Sequence, residues 1–199
     1  MGTAEYLDSL LLNYSGSFNI YQPYVINEKE YPAYGLFYSL VEKYILIREV
    51  NMWSTKSYDH VLFLETEECN EETLKEAVNI IEEYMEPVLV RKNELLPEKN
   101  HMYSYLNVVI ISQKSLSKEI IKKIKKYHFE KGYRFNFRGY SKGSIIAISL
   151  EDKSFASNYH SKNKKKMFLK VFDNIESGKP TFSQVMEERG LKPFKQENI

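Results

Sequence analysis

The alternation of apolar and polar positions is clearest in the middle of the chain, between residues 103 and 151. Four consecutive β-branched residues, Val108–Ile111, are too few for a stable helix and suit a strand that is covered on both faces. After them, apolar residues recur at helical spacing and then return to short strand-like runs. The pattern therefore predicts a strand, a helix and two further strands, over residues 105–112, 117–131, 133–137 and 144–150.

The ends of these elements carry turn signals. Ser117 is a suitable N-cap with Glu119 in the first turn, and Gly132 is placed to end the helix in a left-handed conformation. The two glycines of Gly139–Gly143 suit a hairpin connection of four or five residues. We expect a right-handed crossover wherever the strands flanking the helix are parallel neighbours.

Elsewhere the pattern predicts shorter elements. An amphipathic helix is expected over residues 4–14, and a second helix begins at Asn70 and ends just before Pro87. Strand-like runs cover residues 34–41, 44–50 and 60–64. Towards the C-terminus the sequence predicts a mobile polar segment or long loop (152–166), a last strand or helical turn (167–172), a short helix (180–189) and a frayed tail (191–199).

These elements predict one domain of mixed α/β (α+β) class that spans residues 1–199. We expect a mixed, largely antiparallel sheet that is extended by the central strand–helix–strand unit. Two main helices, over residues 70–86 and 117–131, are expected to cover it. The 199 residues are enough to bury a sizeable core.

Composition narrows the classes of protein that need to be considered. A hydrophobic fraction of 43% with 14% aromatic residues indicates a packed core and excludes a wholly disordered chain. The formal net charge is +1, so no global field attracts nucleic acid or an anionic membrane. Cys69 is the only cysteine, and we find neither a signal peptide nor a spanning apolar segment. We therefore expect a soluble, cytoplasmic protein without a membrane partner.

Several motifs of the chain resemble those of a family of uncharacterised cytoplasmic proteins from Firmicutes. The resemblance covers most of residues 15–165, and it implies no assigned activity and no catalytic residues. The residues that carry it are Glu42–Leu46, Trp53, Asp59–Leu64, Val109–Ser112, Lys131–Phe135, Gly139 and Lys142–Gly143.

A metal-dependent nuclease is one candidate function, because a mixed sheet with a crossover helix is compatible with that class. Such a site needs two carboxylates that share one Mg²⁺ ion. Asp59 and Glu65 bracket the strand predicted over 60–64, and the six-residue spacing between them corresponds to a separation of roughly 20 Å. The triplet Glu151–Lys153 is the only Glu-x-Lys in the chain, and one such match arises readily by chance.

Nucleic-acid binding is a second candidate. The predicted helix and its extension, residues 117–138, interleave cations with aromatic side chains, which suits phosphate contacts and base stacking. A solvated helix face would show the same lysines. The candidate residues for binding nucleic acid or a partner are Lys122, Lys123, Lys125, Lys126, Arg134 and Arg138, and a second basic cluster comprises Lys162, Lys164, Lys165, Lys166 and Lys170.

Protein interaction or self-association is the third candidate and the one that we favour. The helix over 70–86 is as acidic as the helix over 117–131 is basic. If both lie on the same face of the sheet, their charges compensate within one chain. If they lie on opposite faces, two copies of the chain can pair through them.

No constellation of catalytic residues, cofactor ligands or metal ligands emerges from the sequence. The four histidines, His60, His101, His128 and His160, are dispersed without metal-ligand spacing. We therefore predict a non-enzymatic interaction or self-associating domain of unknown function, ahead of a nucleic-acid binder and a metal-dependent nuclease.

Overall fold

Two long parallel strands form the centre of the sheet. The computed structural model describes residues 1–43 and 53–196, and the side chains of residues 40–43, 53 and 54 are not described. Within these residues the strands are β1 (Asn19–Tyr21), β2 (Tyr24–Ile26), β3 (Lys29–Tyr31), β4 (Ala33–Lys43), β5 (Trp53–Thr66), β6 (His101–Ser112), β7 (Phe129–Gly132), β8 (Tyr140–Ser149) and β9 (Phe155–Ser157).

The main sheet has the order β1-β4-β5-β6-β8-β7, with β9 also paired to β8. The β5–β6 and β6–β8 pairings are parallel, and the β1–β4, β4–β5, β7–β8 and β8–β9 pairings are antiparallel. Strands β2 and β3 form a separate hairpin. The predicted mixed, largely antiparallel sheet in a single α/β domain is therefore confirmed.

Helices cover both faces of this sheet. They are α1 (Thr3–Ser15), α2 (Glu71–Asn79), which continues into a π-helix (Ile80–Val90), α3 (Lys118–Lys126), a 3₁₀ helix (Tyr159–Lys164), α4 (Lys165–Glu176) and α5 (Phe182–Glu188). Within the described residues, none of these helices is both long and apolar enough to cross a membrane.

The strand alternation divides the core into two layers. Side chains such as Leu62 and Ile110 pack with α2, the π-helix and α3 on the first face, whereas Phe63 and Val109 pack with α1, α4 and α5 on the second face. The Val108–Ile111 run is fully buried on both sides, as predicted. The two predicted main helices both lie on the first face. The second face is covered by α1, α4 and α5, which the prediction did not place against the sheet.

The predicted ends of the central unit are wrong. The helix stops at Lys126, because Tyr127 leaves the helical conformation with ψ 131°. Gly132 does not cap the helix but closes β7, which is held by its pairing to β8. The strand predicted over 133–137 is instead a turn in which three consecutive residues have left-handed φ angles of 50°, 55° and 66°, and they are Arg134, Phe135 and Asn136. The Gly139–Gly143 connection is mostly the first part of β8.

Three further expectations also change. The second helix does not end before Pro87 but continues past it in the wider π form, in which the Arg91 N–H bonds to the Glu86 carbonyl five residues back. The structure replaces the expected loop at 152–166 with β9 and the 3₁₀ helix, because residues 155–157 complete the ladder of β8. Residues 167–172 belong to helix α4.

The C-terminal segment lies against the first strands. The Phe194 N–H donates to the Ile20 carbonyl, and Gln196 exchanges two hydrogen bonds with the backbone of Val25. This contact covers part of the tail predicted to fray over 191–199. The rest of that tail, residues 197–199, and the strand predicted over 44–50 lie outside the described residues.

Candidate functional site

A column of five rings crosses the first face of the sheet. In order they are Tyr24, Tyr34, His60, Tyr58 and His101, with centroid separations of 4.2, 6.1, 5.9 and 6.4 Å and nearly parallel planes. Tyr58 and His60 alternate on β5 and therefore share a face. His101 joins the column because the β5–β6 register shifts at the start of β6, which turns its side chain to the same side.

A cavity of about 620 Å³ opens beside this column. One wall is aromatic and is formed by Tyr21, Tyr24, Tyr34, Tyr58 and His60. The remaining walls come from the end of the π-helix (Val88–Lys92), from the loop that follows it (Glu94, Leu96 and Glu98) and from the C-terminal segment (Phe194–Gln196), with Leu36 between them. A cavity of this size with a mainly apolar surface is typical of small-molecule sites.

His60 is the most informative polar group of the cavity lining. It is 4% exposed, and its Nδ1 lies 2.6 Å from the Tyr34 hydroxyl oxygen. Its Nε2 has no hydrogen-bond partner within the described part of the chain. Burial, together with the neighbouring His101, lowers the pKa of His60 to about 3, so the imidazole is neutral at neutral pH.

The tautomer of His60 follows from its partner. Burial raises the pKa of Tyr34 well above its ordinary value, so the phenol keeps its proton. When this hydroxyl donates to Nδ1, the phenol proton and the Nδ1 lone pair are both paired, and the histidine proton is then on Nε2. We therefore assign Nε2 as an N–H donor without an acceptor, and a buried donor of this kind costs about 1–3 kcal/mol until an acceptor reaches it.

Two carboxylates fix the walls of the cavity. Glu98 accepts hydrogen bonds from the Lys56 ammonium at 2.6 Å and from the Tyr58 hydroxyl at 2.5 Å. Burial alone would raise the pKa of the Glu98 carboxyl, but these two hydrogen bonds outweigh burial and hold that pKa below its usual range. The loop wall is thereby tied to the strand wall.

Glu86 does the same for the π-helix. Its buried carboxylate accepts two hydrogen bonds from the Arg91 guanidinium, at 2.7 and 3.1 Å, and one from the Tyr133 hydroxyl at 2.9 Å. Lys131 adds an ion pair at 3.0 Å. Burial opposes ionisation of Glu86, but these partners outweigh it and lower the pKa of the carboxyl. Arg91, which lines the cavity, is therefore held in place.

The geometry favours binding over proton transfer. A histidine whose pKa lies near 3 is a weak base at neutral pH, so His60 is suited to donating a hydrogen bond. The aromatic rings of the wall suit a planar ligand, which can pack against them by stacking or by edge contacts. Burial also raises the pKa of the Cys69 thiol to about 11, which makes it a poor nucleophile.

The basic residues predicted from the sequence lie elsewhere. Lys122, Lys123, Lys125 and Lys126 are exposed on α3, beside the acidic α2 on the first face. Lys123 pairs with Glu71 of α2 and, at 3.4 Å, with Glu119 of its own helix.

The two arginines named in the same prediction lie away from these lysines and make different contacts. Arg134 is exposed in the turn after β7. The Arg138 guanidinium donates to the Pro97 carbonyl at 3.3 Å and so supports the loop that borders the cavity.

The carboxylates considered for a nuclease are engaged separately. Asp59 accepts a hydrogen bond from the Asn107 side chain at 2.6 Å, and Glu151 accepts two from Ser115. Across residues 1–43 and 53–196, no three His, Cys, Asp or Glu side chains are grouped so that they could hold a metal ion.

Sequence reasoning missed the residues that line the cavity. The one local signal was the alternation of Tyr58, His60 and Leu62, which marks one face of a strand with two polar-tipped rings next to an aliphatic residue. Tyr24 and Tyr34 join them only through strand pairing.

Comparison with known proteins gives one match. A family model described as "Domain of unknown function (DUF8052)" matches residues 3–170. This confirms the resemblance to a family without an assigned function. Searches of the curated proteins gave no match. No solved structure matched either. The matched region contains the whole aromatic wall of the cavity, whereas Phe194–Gln196 lie beyond it.

Proposed function

The chain belongs to the DUF8052 family, and we propose that it is a non-enzymatic binding domain whose cavity takes a small planar ligand. The ligand is largely apolar and carries one hydrogen-bond acceptor, such as a carbonyl oxygen or a ring nitrogen. The observation that carries this proposal is the buried Nε2 of His60, a donor without a partner beside a flat aromatic wall.

The charges of the helices support a small ligand over self-association as the main role. Self-association through the helices at 70–86 and 117–131 requires their charges to be available to a second chain. Lys123 instead pairs with Glu71 of the same chain, and exposed ion pairs of this kind contribute under about 1 kcal/mol each. Because the two helices lie side by side on one face, part of their opposite charge is compensated within one chain.

A cytoplasmic site of action is part of the same proposal. Cys69 is a buried free thiol, which agrees with a reducing compartment. Fractionation of cells that express the chain with a small tag tests this location, and recovery outside the cytoplasm would contradict it.

Two neighbouring leucines provide a matched test of the cavity. Leu96 lines the cavity, whereas Leu95 is 87% exposed. Leu96→Trp fills the space with a bulky side chain, and Leu95→Trp adds the same side chain outside it. With anilinonaphthalene sulfonate as the probe, we expect the parent chain and Leu95→Trp to show enhanced fluorescence and Leu96→Trp to lose most of it.

Urea unfolding of both variants shows whether the fold is retained, because this dye also binds partly unfolded chains. Equal binding to Leu95→Trp and Leu96→Trp, with both variants folded, would refute the cavity as the binding site.

The acceptor requirement is tested with two ligands of the same shape. Isoquinoline has a ring nitrogen that naphthalene lacks, so only isoquinoline can accept a hydrogen bond from His60. We expect isoquinoline to bind about fivefold more tightly, since one neutral hydrogen bond contributes about 1 kcal/mol. Binding is measured by ligand-observed NMR, and the ¹⁵N shift of His60 Nε2 reports the contact. Tighter binding of naphthalene would show that His60 donates no hydrogen bond to the ligand.

A further inference from the structure

The second face of the sheet extends beyond the aliphatic residues that α1, α4 and α5 cover. There the strand positions change from valine and isoleucine to tyrosine, lysine and small polar residues. In register across β5, β6 and β8, one row is Asp59, Tyr105 and Lys142, and the next is Ser57, Tyr103 and Tyr140. The three tyrosines and Lys142 are half-buried, so part of each side chain faces solvent.

The tyrosine rings form a continuous platform on this face. The Tyr103 ring lies 5.1 Å from the Tyr105 ring and 6.1 Å from the Tyr140 ring, and the latter pair is nearly parallel. The Lys142 ammonium lies 5.0 Å above the Tyr140 ring. A cation therefore lies in contact with the edge of the aromatic platform.

A polar groove of about 540 Å³ continues from this platform. The groove is lined by three lysines, Lys142, Lys162 and Lys164, against one carboxylate, that of Asp59. Glu130 lies 3.6 Å from Lys142 at the edge of the sheet and compensates part of this charge. The summed charge of these side chains is still positive, and further exposed lysines lie along α4.

Buried hydrogen bonds hold the 3₁₀ helix that carries two of these lysines. The Ser144 hydroxyl, on β8, donates to Asn158 Oδ1 at 2.8 Å and contacts the Ser161 hydroxyl. The Asn158 amide donates to the Gly143 carbonyl at 3.0 Å. The backbone on which Lys162 and Lys164 stand is therefore fixed relative to the tyrosine platform.

We infer that this tyrosine–lysine surface (Tyr103, Tyr105, Tyr140, Lys142, Lys162 and Lys164) binds single-stranded nucleic acid. Unpaired bases stack on the parts of the tyrosine rings that face solvent, and the lysines contact the phosphates between them. A duplex keeps its bases stacked on one another and cannot use the platform, so the surface selects single strands. The site is distinct from the aromatic cavity, which lies on the opposite face, and from the lysines of α3.

Fluorescence anisotropy with the full chain and a labelled oligouridine tests this inference. We expect binding to the single strand at low salt and weaker binding to a duplex of the same length. With three lysines on the phosphates, a plot of log K against log salt should have a slope of roughly −2. Tyr105→Leu and Tyr140→Leu should each weaken binding about tenfold.

Matched variants separate stacking from loss of structure. Tyr105→Phe keeps the ring and should bind like the parent chain, and Lys142→Gln should make the salt slope shallower by roughly 0.7. Lys122→Gln and Lys126→Gln, on α3, should change nothing. Urea unfolding of each variant confirms that it is folded.

Three results would overturn the inference: no binding of the single strand at low salt, tighter binding of the duplex, or equal losses from Tyr105→Phe and Tyr105→Leu. Displacement of the oligouridine by polyglutamate at matched charge concentration would indicate a surface for an acidic protein, which also contradicts it.

Discussion

His60 and Asp59 are adjacent on β5, yet they belong to the two most different environments of the molecule. His60 faces the aromatic cavity, and Asp59 faces the lysine groove on the other side of the sheet. Burial acts on both in the direction of the neutral form: it lowers the pKa of His60 to about 3 and raises that of Asp59 to about 6, against the opposing effects of Lys164 and Asn107. One buried strand thus holds a neutral donor on one face and an acid that titrates near neutrality on the other.

The two sites also differ in what holds their walls. The cavity is framed by ionised carboxylates, Glu86 and Glu98, each with a cationic partner. The groove is framed by neutral groups, chiefly Ser144, Asn158 and Ser161. Removing one partner from a buried ionic cluster leaves an unpaired charge, whereas removing one neutral partner leaves only an unpaired polar group. The comparison therefore predicts a larger penalty at the cavity than at the groove.

The largest effect is expected for Glu86→Ala. Removing this carboxylate leaves Arg91 without its buried partner, and the free energy of unfolding should fall by about 3–5 kcal/mol. Chemical unfolding in urea measures the change. Glu83→Ala, at an exposed position on the same helix, is the control and should change stability by no more than about 0.5 kcal/mol. A loss below about 1 kcal/mol for Glu86→Ala would show that the ionic frame is dispensable.

The next effect is expected for Asn158→Ala at the groove. The substitution leaves the Gly143 carbonyl and the Ser144 hydroxyl without their buried partner, so stability should fall by about 2–3 kcal/mol. The control is Asn163→Ala, at an exposed position in the 3₁₀ helix. If Asn158→Ala lowers the free energy of unfolding as much as Glu86→Ala does, the neutral groups at the groove and the ionic groups at the cavity contribute equally. The predicted difference between the two sites would then be wrong.

A pH-dependent effect is expected for Asp59→Asn. Because the folded-state pKa of about 6 exceeds the ordinary value of 3.8, the protonated carboxyl contributes stability that is fully present below pH 3.8 and is lost as the pH rises through 6. At pH 7 the variant should therefore be more stable than the parent chain, by on the order of 2 kcal/mol, and the difference should vanish near pH 4.

Asp152→Asn gives the opposite sign and serves as the control. Hydrogen bonds from Ser154 and Ser149 lower the pKa of Asp152, so its stabilising contribution is present at neutral pH and is lost on acidification. Urea unfolding at several pH values measures both variants. A parent chain whose stability rises with pH relative to Asp59→Asn would contradict the burial of Asp59.

The smallest effect is expected for Lys123→Gln on α3. The pairs with Glu71 and Glu119 are exposed, so the urea midpoint of this variant should be close to that of the parent chain. Light scattering across salt concentrations should show the same molecular mass for this variant and the parent chain. A molecular mass that depends on salt concentration and changes in the Lys123→Gln variant would support pairing between chains through these helices.

Local patterns predicted the starts of elements better than their ends. Ser117 caps α3 as expected, and its hydroxyl accepts a hydrogen bond from the Ile120 N–H. The end of that helix was misplaced because Tyr127 continues the helical spacing, while β7 exists only through its pairing with β8. The turn at Arg134–Asn136 was hidden for the same reason. Phe135 is 95% exposed, although its type suggests a strand interior.

The two sites were harder to predict from the sequence than the fold was. Tyr24 and Tyr34 stack at 4.2 Å because a hairpin and the edge of the sheet meet there, and no spacing along the chain encodes that distance. The chain contains 16 tyrosines, but this count does not indicate which rings lie together in the fold. The basic cluster at 162–170 was visible too, yet its proximity to tyrosines on β6 and β8 required the parallel register.

Asn107 connects the two faces of the sheet through hydrogen bonds. Its side-chain amide donates both to the Asp59 carboxylate at 2.6 Å and to the backbone carbonyl of His60 at 3.1 Å. The same amide group therefore joins the carboxylate that faces the groove to the peptide group of the residue that faces the cavity. If a ligand in the cavity changes the affinity of the groove for its own ligand, thermodynamic reciprocity requires that the groove ligand changes the affinity of the cavity by the same factor.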